Sequence, residues 1–145
     1  MSAAAGTVFA LHPQLAQDTV AIGEMKLCRL LLSKDANYPW LLLVPRRAGI
    51  IEIIDLDTNA QAQLMTEIAD VSHALNETTR CDKLNVAALG NMVPQLHVHI
   101  IARRKSDAAW PRPVWGVAPA IAYGDNELTI LIDALRRKLG LDQKQ

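Results

Sequence analysis

The chain has 145 residues, half of them hydrophobic and 21% charged, which fits one globular domain with a core of its own. Fifteen Lys and Arg balance fifteen Asp and Glu, so no broad positive field exists to hold a nucleic-acid backbone, and nucleic acid is not an expected partner. No apolar run reaches the ~18 residues that span a bilayer, so no membrane is expected either.

Met1 to Gly6 carry neither a basic stretch nor a long apolar one, which makes the cytoplasm the expected compartment. Cys28 and Cys81 lie far apart without close pairing, as reduced thiols do. The first expected strand is the run MKLCRLLL, from Met25 to Leu32; SKDANYP breaks it, and WLLLVP follows as the second arm of an antiparallel hairpin. Arg46 and Arg47 then read as a solvated edge. IIEIIDL is expected as a short extended segment leading into a helix from about Thr58 to Thr79, with Thr58 and Gln61 at capping-box spacing. Leu64, Ile68, Val71 and Leu75 share one face of that helix and must be buried, whereas His73, among Ser72, Asn76 and Glu77, reads as a surface histidine.

LNVAAL reads as a buried strand, GNMVP as a loop and QLHVHIIARR as a strand antiparallel to the first. AAWPRPVWG, with two prolines and two tryptophans, is expected to be irregular and to wrap back so that Trp110 and Trp115 are not left wholly in water. A last helix from about Asp125 to Leu139 places Leu128, Ile132, Leu135 and Leu139 on one face, puts Arg136 to Lys138 in its final turn, and stops at Gly140.

The chemistry concentrates in QLHVHIIARR. A strand alternates faces, so Gln95, His97 and His99 are expected on one side with two imidazoles about 6 to 7 Å apart. Such a pair can hold a metal with one further ligand, attack a phosphoryl group with one ring while the other stabilises charge, or simply be hydrogen-bonded strand residues. A third ligand would have to come from His12, His73, Cys28 or Cys81, none brought near by spacing, so no metal is expected.

VPQLHVHII resembles the histidine-triad (HIT) motif, in which three histidines alternate with hydrophobic residues, with Gln95 in the first position, His97 in the nucleophile position and His99 in the third. The order LLLVPRR, DL, helix, hydrophobic strand and motif extends the resemblance over roughly residues 25–104, with 105–145 as a C-terminal extension of the same single domain. It is most similar to short bacterial HIT-like proteins carrying Gln-x-His-x-His. The resemblance implies an α+β fold with about five antiparallel strands, one long helix and a C-terminal helix, commonly as a homodimer. It also implies nucleotide hydrolysis or nucleotidyl transfer at an α-phosphorus through a nucleotidyl-histidine on His97, with no cofactor; the motif itself does not name the substrate, and a purine nucleotide or nucleoside phosphoramidate is the expected partner.

For attack, one nitrogen of His97 must keep a proton, which a backbone carbonyl of its own strand can hold in place. His99 would donate to a phosphoryl or bridging oxygen, Asn91 would match the family's amide before the motif, and Asp35 would match its ribose-binding carboxylate between the hairpin strands. Gln95 can donate and accept but carries no charge; Met92 stands where many relatives have a Ser or Thr, and Trp40 where many have a histidine. These departures leave two rivals: a nucleotide-binding protein with weak or lost catalysis, and a metal-binding module on His97 and His99.

Overall fold

A computed structural model describes residues 8–141. The short helix α1 (Pro13–Asp18) leads into β1 (Thr19–Glu24), followed by β2 (Cys28–Ser33), β3 (Trp40–Pro45), the long helix α2 (Thr58–Thr79), β4 (Lys83–Ala87), β5 (Val98–Arg103) and α3 (Asp125–Leu139). The strands form one antiparallel sheet in the order β1-β2-β3-β5-β4, so the motif strand lies inside and β4 at an edge. This is the α+β architecture anticipated, with its five strands, long helix and terminal helix.

Both faces of the sheet are covered, which is why β2 and β3 read as unbroken leucine runs rather than alternating ones. Leu30, Leu32, Leu41, Leu43, Val98 and Ile100 pack against α2 and α3 through Leu64, Val71, Leu75, Ile132 and Leu135. On the opposite face Leu31, Leu42 and Val44 pack with Leu15, and Ile101 packs with Tyr38, Ala109 and Val114. His97 and His99 occupy that second face between these two clusters.

Several boundaries differ from expectation, each for a local reason. The sequence reading has no counterpart of α1 or β1: the helix is only six residues long, and β1 is an edge strand whose register shifts between Ala21 and Gly23. The hairpin's first strand begins at Cys28 rather than Met25, because buried Glu67 of α2 accepts from the backbone N–H of Leu27 (2.7 Å) and Cys28 (2.9 Å) and holds the preceding turn. IIEIIDL is not extended; Ile53–Asp55 is a 3-10 turn, with Asp55 accepting from the N–H groups of Ile51 and Glu52. The α2 cap is Asp57, which accepts from Ala60 N at 2.8 Å, while Gln61 reaches back to the Leu56 carbonyl.

The C-terminal helix ends at Gly140 in the left-handed conformation, as its sequence implies. Cys28 and Cys81 are free thiols, and burial, reinforced by Glu67, pushes the Cys28 thiol far above its ordinary range, which makes it inert. His73 is exposed on α2.

Candidate active site

The motif strand is shorter than its sequence suggests. β5 pairs with β3 as far as Leu43–Val98 and with β4 as far as Ala87–His99, so the neighbours have diverged by the time the chain reaches His97 and Gln95. Other bonds fix this entry segment: Leu96 N donates to the Ile50 carbonyl at 3.0 Å, and Gln95 uses its side chain as a clamp. The Gln95 amide accepts from His12 N (2.8 Å) and donates to the Ala10 carbonyl (2.9 Å), tying the N-terminal segment to the motif. His12 in turn caps α1, whose Leu15 lines the site.

Two hydrogen bonds determine which nitrogen of each histidine carries the proton. His97 Nδ1 lies 2.7 Å from the Gln95 carbonyl. A carbonyl only accepts, so Nδ1 holds the proton and Nε2 of the neutral ring presents its lone pair. His99 Nδ1 lies 2.9 Å from Trp40 Nε1. An indole N–H only donates, so His99 Nδ1 is the acceptor and its Nε2 carries the hydrogen. Trp40 reaches His99 because Leu42 is the cross-strand partner of His99 and Trp40 stands two residues along the same face.

The two imidazoles pack edge to face, with centroids 4.9 Å apart, closer than the alternation of a regular strand predicts. Both are largely buried, at 7% and 6% exposure. They line an open cleft of about 710 Å³ together with Leu15, Asp18, Thr19, Asp35, Trp115 and Ile121. A second cleft of about 430 Å³, bordered by Ile51–Ile54 and Ala88–Gly90, also has His97 in its wall.

Of the residues singled out from sequence, the cleft brings together His97, His99 and Asp35. Gln95 contributes its carbonyl to His97 but commits its side chain to the N-terminal segment instead of lining the cleft. Asn91 stands on an exposed bend outside both linings. Arg46 donates to the Met25 and Lys26 carbonyls and, like Arg47, lines neither cleft. Among the described residues no three His, Cys, Asp or Glu side chains are grouped as a metal would require. The role of Trp40 was missed from sequence, although a tryptophan opening a buried strand needs a partner for its indole N–H.

His99 is held well below its ordinary value of 6.5, at about 4, first by burial and then by His97 beside it. The unfolded chain therefore binds the extra proton between about pH 4 and 6.5. The stability contributed by neutral His99 is complete above that window and is lost as pH falls through it. The urea midpoint should decline across the window, and His99→Asn should flatten the decline relative to wild type. Parallel curves for the two proteins would contradict this placement of the ring.

A model of the HIT domain matches residues 14–106. Among solved structures, a histidine triad protein from Bradyrhizobium japonicum is 63% identical, covering 92% of this chain and 99% of its own with a TM-score of 0.91. One from Marinobacter aquaeolei is 45% identical (92% and 98% covered, TM-score 0.89), and one from Sinorhizobium meliloti is 41% identical (90% and 97%, TM-score 0.88). No curated protein matches. The chain belongs to the histidine triad family. The matched region begins earlier than residue 25, because α1 and β1 are part of the domain, and no helix among the described residues is long and apolar enough to cross a membrane.

Proposed function

We propose that the protein is a nucleotide hydrolase or nucleotidyl transferase that works at an α-phosphorus through a nucleotidyl-histidine on His97. The observation that carries this reading is the pair of fixed tautomers: a lone pair on His97 Nε2 beside an N–H on His99 Nε2. The first is a nucleophile and the second a donor for the oxygen on which charge develops. His97 Nε2 bonds to phosphorus as the bond to the leaving group breaks, and the leaving group takes the electron pair and a proton. Water, or another acceptor, then attacks the same phosphorus, the P–Nε2 bond breaks with its electrons returning to the ring, and the attacking oxygen gives its proton to solvent.

Gln95 acts as a positioning residue, its carbonyl aiming His97, and Asp35 in the lining of the same cleft suits a ribose diol. Asn91 enters no step. The substrate class is a purine nucleotide or nucleoside phosphoramidate in the cytoplasm. Turnover of such a compound that depends on His97 tests the reading.

A second reading, nucleotide binding with little turnover, is favoured by the surroundings of the motif. Met92 is 92% exposed and donates nothing, and the Gln95 side chain is already engaged. Tight nucleotide binding without turnover would establish it. The protein is also expected to pair with a second copy of itself through the β4 edge, where Val86, Leu89 and Ile54 stay exposed. Sedimentation at micromolar concentration should give twice the 15.9 kDa chain mass, and a monomer would refute the pairing.

A further inference from the structure

Gln95 stands first in the motif yet lines neither cleft, because its carboxamide faces the chain that precedes α1. Residues 8–12 belong to no helix or strand. The Gln95 amide oxygen accepts from His12 N at 2.8 Å while its Nε2 donates to the Ala10 carbonyl at 2.9 Å. A carbonyl and the N–H two residues on are what a neighbouring strand would pair, so the carboxamide stands in for a strand that the sheet does not supply. Apolar contacts hold the same segment: Phe9 and Leu11 pack against Leu15, Leu31, Leu42 and Val44, and the Arg29 guanidinium lies 5.3 Å from the Phe9 ring centroid.

From this clasp a short run of bonds leads to the larger cleft. His12, whose N–H the clasp holds, caps α1 by accepting from Gln14 N at 3.0 Å. The end of α1 and the residue after it supply Leu15, Gln17, Asp18 and Thr19 to the cleft lining, and Thr19 Oγ1 donates back to the Leu15 carbonyl at 2.6 Å. A helix of six residues is marginal by itself, so its place depends on what its first turn is tied to. The bond that aims His97 is separate: it is made by the Gln95 carbonyl, a backbone group present whatever side chain residue 95 carries. A neutral imidazole at this position would also offer one donor and one acceptor, but on diverging edges of a rigid ring, where the Ala10 carbonyl and the His12 N–H cannot both be met.

We propose that the Gln95 side chain is a positioning residue for nucleotide binding. It holds residues 10–12, and through His12 the helix α1, as part of the surface against which the nucleotide docks, while chemistry at His97 depends on the backbone of residue 95 alone. The inference rests on the nucleotide reading above. Glutamine in the first motif position is thus a specialised substitution, and restoring histidine there weakens binding without speeding turnover.

Gln95→Met keeps the length of the side chain and removes both hydrogen bonds. With an adenosine 5′-phosphoramidate its KM should rise by about tenfold while kcat stays within about threefold of wild type, and the Kd for adenosine 5′-monophosphate, measured by calorimetry, should rise in parallel. Gln95→His should show the same split. Leu11→Ala, which loosens the segment from its apolar side, should raise KM and Kd in the same direction. A merely structural role gives the opposite pattern, because partial unfolding lowers the apparent kcat and leaves KM alone. A kcat that falls at constant KM in Gln95→Met, an unchanged Kd in that variant, or a raised kcat in Gln95→His overturns the inference and leaves His97 chemistry standing. If wild type binds the monophosphate without turning over the phosphoramidate, the catalytic reading fails and the Kd comparison decides the inference. If wild type does neither, both are overturned.

Discussion

His97→Ala is expected to lose nucleotide turnover by about 10⁴-fold or more while unfolding within about 1 kcal/mol of wild type. The asymmetry follows from what the imidazole touches. Its Nδ1–H meets the Gln95 carbonyl, a group beside open clefts that water can satisfy when the ring is removed. Among the described residues its Nε2 has no hydrogen-bond partner to lose, yet in the proposed mechanism it is the atom that bonds to phosphorus. His99 Nε2 carries hydrogen, and Trp40 keeps it so. His99→Ala should therefore be milder, about 10²- to 10³-fold, since it removes a donor rather than the nucleophile. Steady-state kinetics and urea unfolding of the same preparations check both. Equal losses in the two variants, or a loss explained by unfolding, would contradict the assignment of roles.

Arg103→Ala is expected to cost about 3–5 kcal/mol of folding free energy, measured as a fall in the urea midpoint. Arg103 is 1% exposed, forks onto both oxygens of Asp107, donates to Asn85 Oδ1 at 2.8 Å, and lies 5.6 and 5.5 Å from the Tyr38 and Trp110 ring centroids. Removing it strands a carboxylate that also accepts from the N–H groups of Arg104, Ala109 and Trp110, and so ties down the start of the strap, residues 107–122, that supplies Trp115 and Ile121 to the cleft. Burial alone would raise the Asp107 carboxyl, but the guanidinium and these backbone donors outweigh it and hold it at about 2, below its ordinary 3.8. The stability it contributes is thus fully present above about pH 4 and is lost as pH falls toward 2. Arg103→Met combined with Asp107→Leu should recover part of the loss, because no buried charge is left unpaired. A loss under 1 kcal/mol in Arg103→Ala would show that the pair is not what holds the strap.

Legibility in the sequence tracked how local each signal is. The long helix, the terminal helix with its glycine stop, and the strands built from LLLVP and HVHII were readable because periodicity and caps act within a few residues. β1 was not, since an edge strand interrupted at Gly23 carries little apolar signal. The run IIEIIDL misled because Ile51, Ile53 and Ile54 remain exposed instead of entering the sheet, while only Ile50 packs against the core. In the site, the Gln95 carbonyl holding His97 was foreseeable from the spacing along one segment. The Trp40–His99 bond and the Gln95–His12 bond span 59 and 83 residues. They depend on the sheet order and on the course of the N-terminal segment, which no local pattern encodes. The strap was expected to wrap back, but its contact with His99 through Trp115 became visible only in three dimensions.

The central claim is that His97 carries the nucleotide between donor and acceptor, and the most direct measurement is intact mass after brief incubation with an adenosine 5′-phosphoramidate, quenched without acid to preserve a phosphorus–histidine bond. A nucleotidyl adduct on wild type that is absent from His97→Ala is the predicted result. An adduct equally abundant in His97→Ala, or nucleotide released by wild type with no adduct at any quench time, would contradict it.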